Sequence, residues 1–563
     1  MACVNAINAL ELEVNEERMN LPADVLIGGA CNPTVQEAWL LRAKLKEMQG
    51  WERMQAVQVV NQPKGCRPIG TRWVVTGTGE STKARLVATE VAHFSADASM
   101  FASTPSTASF RTFLAASSVR MARDPRIVLA SIDISKAFLH ASIQEGREVF
   151  LRAPREADLA PGTCWKARKA VYGLRHSPAD WSRHLRAIML AAGFRQSRLD
   201  PCLFVHPVTG VSVLSYVDDL LFCGDLDSVQ KIIEILRKQL DASDPHYLCN
   251  PGDKLCMLGR TIIRTLYGLI IQTDAKHCAA VVEEMDAASR RKSEYPGRKL
   301  TSIEREMLGG VLDSRRAATY RSCTGKLIYA SSDRPELAFV VKSLAGGMSA
   351  PRESDWLQLD ACARYLRDRE SVIISLEPDF TSTGGEIGKT LFAFSDADWA
   401  GESGSRKSTS GGYLSWNGVS LGHWSRSQST IALSSCESEF YGCISAVSEG
   451  LFSMGLLLEL GYETKVRLMC DSSAALGLLQ KPGVSRPLRH LDCKYLFLQQ
   501  LLYERRLDAA KVAGTLNGAD ILTKYPTKDM LSRHLPSHRV SFVPLQEAMG
   551  SAAKVTKIVR KSS

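Results

Sequence analysis

The sequence predicts a multidomain protein of mixed α/β and α+β class, and three observations carry that prediction. Its 563 residues leave room for about two to four domains, and 45% hydrophobic with 23% charged residues is an ordinary globular mixture. Strand-like and helix-like stretches alternate from about Pro33 to Met285. After a helical block at about 316–370, residues 390–535 read strand, strand, strand, helix, strand, helix, helix. No uninterrupted apolar run reaches the ~18 residues of a membrane span, and the acids in ALELEVNEE do not suit a secretory signal. Fifteen scattered cysteines without a C-x-x-C pair suit free thiols in a reducing compartment better than disulfides or structural zinc. A net charge of +10 permits a polyanionic partner without requiring one.

In chain order, residues 1–36 form an opening segment of poor periodicity. RIVLASIDI is a β-rich run ending at Asp133. VSVLSYVDDLLFCGD is a second, interrupted by the adjacent acids Asp218 and Asp219, and its local reading is a hairpin turning at that pair. Adjacent carboxylates repel and are costly to bury unpaired. Carboxylates at strand ends that converge on one point hold Mg²⁺, and two such ions clamp the attacking and leaving oxygens of a phosphoryl transfer. LCMLGRTIIRTLYGLIIQTDAKH predicts a hairpin turning near Leu266–Gly268 and then a helix. SRRKSEYPGRKLTSIERE reads as a charged linker; in the helical block after it, Arg321, Lys326 and Arg364 either belong to a solvated face, the favoured reading, or touch a polyanionic backbone.

EPDFTSTGGEIGK is a second linker. The block from 390 has its own acids: Asp396 closes an apolar strand, with Asp398 two residues on. Ser434 and Glu437 have capping-box spacing, which leaves Glu439 free for another task. Asp471 sits at a strand-to-helix junction and Asp520 just after a turn. KVTKIVRKSS ends the chain as a basic tail.

SIDISKAFLHASI, KAVYGLRHSPADWSRHL and LSYVDDLLF, in this order, resemble the palm of a reverse transcriptase, and TRWVV, STKARLVATE, FASTPS and SFRTFLAAS resemble its fingers. SDADWAG, RKSTSGGYL, ALSSCESEF, CDSSAAL and GADILTK resemble an RNase H domain. The set is similar to the Pol polyprotein of copia-type LTR retrotransposons. That resemblance implies a right-hand polymerase with fingers, palm and thumb, a helical connection and an RNase H-like α/β domain. The corresponding parts are an opening segment 1–36, fingers and palm 37–290, thumb, connection and linkers 291–389, RNase H 390–535 and a tail 536–563.

It implies, further, that Asp133, Asp218 and Asp219 bind two Mg²⁺ for polymerisation, and that Asp396, Glu439, Asp471 and Asp520 bind two more for hydrolysis, with Mn²⁺ able to substitute. Asp398 and Glu437 are left with supporting and capping roles. Phe138 stands where the family has an aromatic gate against a ribose 2′-hydroxyl, or is a core aromatic; Lys83 and Arg85 face the incoming triphosphate, or are a solvated strand face. His176 replaces a glutamine expected to shape the nucleotide pocket. His490 either contacts substrate or is structural.

The implied partners are an RNA template, a DNA primer, RNA–DNA hybrid, deoxynucleoside triphosphates and other Gag or Pol products, with no membrane. The implied location is intracellular, in cytoplasmic virus-like particles and the nucleus. No integrase head, capsid-like region or aspartic-protease motif is seen, so the expectation is a piece of a longer Pol product or a truncated genomic copy. Two other readings stand beside this one: a weakened relic that only binds nucleic acid, and an unrelated two-metal phosphatase or nuclease.

Overall fold

The structure, a computed structural model, describes residues 33–90, 102–380, 388–402, 404–481 and 496–542. Most of the opening segment, most of the second linker, Arg489, His490 and the end of the tail lie outside the described residues.

The central unit is a six-stranded antiparallel sheet. Its order is His246–Leu248, Ile127–Asp133, Asp219–Asp225, Ser212–Tyr216, Leu203–Val205 and Arg195–Gln196. Side chains alternate across a strand, and Ile127–Asp133 uses both faces. Val128, Ala130 and Ile132 join Val213, Leu220 and Phe222 in one core, beneath the helices Ser177–Ala191 and Leu226–Arg237. Ile127 and Leu129 join Leu214, Leu221 and Cys223 in a second core, under the helix Thr107–Arg123.

In front of this sheet lies a layer built from the helix Pro33–Arg53, a small sheet and the hairpin Thr71–Thr76/Lys83–Ala88. Trp51, Leu86, Leu151 and Trp165 form its core. On the strand Lys83–Ala88, Ala84, Leu86 and Ala88 point inward, which turns Lys83 and Arg85 outward.

The hairpin Arg260–Thr265/Gly268–Thr273 forms as the sequence predicts, turning at Leu266-Tyr267 and followed by the helix Lys276–Glu284. It belongs to a five-stranded sheet completed by Ile373–Ser375 and Val540–Ser541. The last of these corrects the expectation of a loose tail from 536: Val540 and Ser541 pair with Ile374 and Ile373. The first charged linker is also not free. Thr301 and Glu304 cap a helix Ser302–Met307, and Gln358 and Arg367 donate to the carbonyls of Arg298 and Arg290. Arg321, Lys326 and Arg364 make bonds to Met348 O, Glu284 and Asp360.

The C-terminal unit is a five-stranded mixed sheet in the order Val419–Ser427, Thr409–Trp416, Thr390–Ala397, Lys465–Cys470, Leu507–Lys511. Thr390–Ala397 is antiparallel to Thr409–Trp416 and parallel to Lys465–Cys470. The helix Ser435–Glu459 crosses it, burying Phe440, Cys443, Ala446, Val447, Leu456 and Leu457. That helix is long and apolar enough by composition to cross a membrane, but its apolar face is spent on this core.

Candidate active sites

Asp133 ends its strand and Asp219 begins the next, and the two are direct cross-strand neighbours. Tyr216 pairs with Asp219, so the two-residue turn is Val217-Asp218, one residue earlier than the sequence predicts. Asp218 therefore sits in the turn and Asp219 in the ladder. Val217 has φ +54°, in the left-handed region. For a β-branched residue this is a strained state, costing about 1–3 kcal/mol. The Ile134 N–H donates to the Asp218 carbonyl at 2.8 Å, and the Trp181 indole N–H donates to the Val217 carbonyl at 2.7 Å.

Asp133 and Asp218 face a cleft of about 930 Å³ whose walls also include Tyr172, Lys136, Lys83 and Arg85. Burial pushes the Asp219 carboxyl up to about 6, and the charges of Asp218 and Asp133 add to that. Asp133 is also raised, by burial and then by Asp218, while Arg85 and Lys83 across the cleft work the other way. Clustered carboxylates that resist ionisation together suit a divalent cation, whose charge relieves the repulsion.

Two residues that the sequence marks for this pocket stand elsewhere. His176 precedes the helix Ser177–Ala191 and lines a separate cavity of about 270 Å³ with Glu90, Arg147 and Asp180. Phe138 is set back from the cleft, its ring edge-on to Tyr172 at 5.1 Å. Tyr172 is the aromatic at the cleft wall, and burial raises its hydroxyl to about 12. The neighbouring Gly173 makes that placement possible: it has φ +87°, and a Cβ there would meet the Ala88 carbonyl at 2.0 Å. The Y-G pair was a usable signal; which motif residue faces the cleft was not. Lys136 was also missed. It lies three residues after Asp133 and binds the Glu47 carboxylate at 2.6 Å.

The second set of acids gathers at one edge of the C-terminal sheet. Asp396 is the penultimate residue of its strand and 7% exposed, and burial lifts it to about 6, with Asp520 and Asp471 adding to the rise. Glu439, on the crossing helix, is pushed up to about 9 by burial and then by Asp396, Cys470 and Asp471. Its buried Oε2 has no hydrogen-bond partner. Asp471 follows the strand Lys465–Cys470, and Asp520 opens a short 3₁₀ turn. Asp396 thus feels the charges of Asp520 and Asp471, and Glu439 those of Asp396 and Asp471. The orphaned Oε2 among carboxylates fits an oxygen-seeking Mg²⁺.

Residues that the sequence did not mark surround them. The Thr523 hydroxyl donates to Asp396, Lys524 pairs with Asp520, and His534 Nε2 lies 3.9 Å from Asp520 Oδ2. Ligand atoms of Cys470, Glu439 and Asp471 lie within 4.8 Å of one another. Thiolate is a soft ligand, so Mg²⁺ would be held by the carboxylates.

Asp398 and Glu437 have other work. Asp398 accepts from the Thr409 N–H. Glu437 donates its N–H to Ser434 Oγ at 3.2 Å and accepts from the Leu433 N–H at 2.8 Å, one residue earlier than a standard capping box. Beside this site a cavity of about 770 Å³ is lined by Trp399 and by Arg298, Lys299, Lys524 and Lys528.

Comparison with known proteins bears on both sites. Residues 54–293 match the family described as reverse transcriptase (RNA-dependent DNA polymerase). The chain is 26% identical over 509 residues to the retrovirus-related Pol polyprotein from transposon TNT 1-94 of Nicotiana tabacum, covering 86% of this chain and 36% of that protein. It is 28% identical over 496 residues to the Pol polyprotein from transposon RE2 of Arabidopsis thaliana, covering 82% and 31%. Residues 54–293 belong to the reverse-transcriptase family, and the chain as a whole is similar to copia-type retrotransposon Pol polyproteins.

The chain spans about a third of the length of those relatives. The first carboxylate set falls wholly inside the reverse-transcriptase match, which ends at 293, before the second set. Among solved structures, foamy viral protease-reverse transcriptase in complex with dsDNA aligns with 88% of this chain and 88% of its own. The TM-score is 0.44 at 12% identity, so the fold description rests on the strands and helices given above.

Proposed function

We propose that this chain is an RNA-directed DNA polymerase with a C-terminal RNase H activity, both by two-metal phosphoryl transfer. The observation that carries the reading is that two separate sets of carboxylates gather at the strand ends of two different sheets, the second completed by Glu439 from a helix and Asp520 from a turn, and that the first faces a basic hairpin. In this reading the central sheet is the palm, the layer bearing Lys83 and Arg85 is the fingers, the helices from 314 to 366 form thumb and connection, and the C-terminal sheet is the RNase H domain. An unrelated phosphatase or nuclease would account for one carboxylate set, not both.

At the first site Asp133 and Asp218 are the principal Mg²⁺ ligands and Asp219 the supporting one. Bound Mg²⁺ would supply Lewis-acid stabilisation of the attacking and leaving oxygens. Lys83 and Arg85 hold triphosphate oxygens across the cleft from the acids. Tyr172, backed by Phe138, forms the wall against the sugar, so the pair rather than Phe138 alone is the barrier to a ribose 2′-hydroxyl. At the second site Asp396, Glu439, Asp471 and Asp520 hold the metal, and Thr523 orients Asp396 through its hydroxyl. The cations beside Trp399 guide the hybrid's backbone, a contact that weakens with salt.

The substrates are then an RNA template, a DNA primer, deoxynucleoside triphosphates and RNA–DNA hybrid. Other Gag and Pol products, in cytoplasmic particles and the nucleus, are the expected company. The test is primer extension on an RNA template. Deoxynucleotide incorporation should require Mg²⁺ or Mn²⁺ and be lost in Asp133→Asn; template binding without incorporation under either metal would favour a relic that only binds nucleic acid.

A further inference from the structure

We propose that Trp181 is a positioning residue for the polymerase carboxylates: its indole N–H locks the left-handed turn that presents Asp218. Val217 is a β-branched residue held at φ +54°, a conformation it would leave if free to do so. Relieving that φ means rotating about the Val217 N–Cα bond, which moves the Val217 carbonyl and redirects the Asp218 side chain that follows it. A donor fixed on that carbonyl blocks the rotation.

Trp181 supplies one. An indole has a single donor, and here it is spent on Val217 O at 2.7 Å. The side chain is 3% exposed, on the helix Ser177–Ala191, with the rings of His140 and His184 at 6.4 and 6.0 Å. The ring therefore has little freedom to follow the turn if it moves. On the other side, the Ile134 N–H holds the Asp218 carbonyl at 2.8 Å. The turn is fastened at both carbonyls, once by the neighbouring strand and once by this side chain.

Trp181→Phe keeps an aromatic ring and removes the donor. The activity arm rests on the polymerase reading. In single-nucleotide primer extension, kcat should fall about 10- to 100-fold, the scale of a small misplacement of a reacting group. The KM for the nucleotide should stay within about 2-fold, because Lys83, Arg85 and Tyr172 are untouched, and half-saturation by Mg²⁺ should move to higher concentration. Val217→Gly removes the need for the lock, since glycine adopts positive φ freely. In that background, adding Trp181→Phe should change kcat by no more than about 2-fold. An equal loss in both backgrounds would make Trp181 a packing residue and overturn the proposal.

A second arm needs no activity. Amide hydrogen exchange in the peptide 212–225 should be faster in Trp181→Phe, at an unchanged melting temperature. Unchanged exchange there overturns the lock. If the wild-type chain incorporates no nucleotide, the polymerase reading fails, and the exchange arm still decides the role of Trp181.

Discussion

Glu439 shows how a residue can be costly to the fold and still be kept. Burial and three neighbouring groups push its carboxyl up to about 9, far above the ~4.3 of an unfolded chain. Between those values the folded state holds a proton that the unfolded state has released. Its contribution to stability is therefore present at low pH and is lost as pH rises toward 9. The metal-free protein should lose stability over that range. Glu439→Gln should raise the metal-free melting temperature at pH 8 by about 2–4 °C while abolishing hybrid cleavage, as read by calorimetry and a cleavage assay.

At the cleft proposed for polymerisation, Arg85→Ala should raise the nucleotide KM at least about 10-fold, the loss of a charge-assisted contact. His176→Gln should change nucleotide KM by less than about 2-fold, because His176 lines another cavity; steady-state extension kinetics check both. Most of the acids were legible in the sequence because each closes an apolar run. Tyr172 and Thr523 were not, because their placement depends on chain segments distant in sequence. The turn was misread by one residue because valine is a poor candidate for a left-handed position, and the structure puts one there.

Among the elements, the strand-and-turn units were the most readable and the charged connections the least. The hairpin at Leu266-Tyr267 and the helix capped by Ser434 follow from local pattern. The helix Ser302–Met307 did not, although Thr301 and Glu304 carry a capping signal, because the charge of the stretch suggested a linker. The helix Thr107–Arg123 contributes Arg111, which with Arg260 clasps Asp333 at 2.5 and 2.6 Å; all three are buried. Burial alone would raise the Asp333 carboxyl, and the two guanidinium groups more than offset it, leaving it below its ordinary value. Its contribution is present above about pH 4 and is lost as pH falls below that. Asp333→Ala leaves two buried arginines without their carboxylate and should destabilise the protein by about 3–5 kcal/mol, measured by denaturant unfolding.

Over the whole molecule, the same helix joins the two halves. One side covers the central sheet, and another meets the C-terminal unit, where the Tyr462 hydroxyl donates to Ala116 O at 3.3 Å. No periodicity in the sequence encodes that contact; it follows from two apolar surfaces that only the fold creates. The two sites are nonetheless chemically separate, each with its own acids on its own sheet. Two independent sites are therefore best tested by measuring both activities in the same preparations of wild type, Asp218→Asn and Asp471→Asn, with Mg²⁺. Asp218→Asn should lose nucleotide incorporation and keep hybrid cleavage, and Asp471→Asn should do the reverse. Incorporation undiminished in Asp218→Asn, or cleavage undiminished in Asp471→Asn, would contradict that assignment.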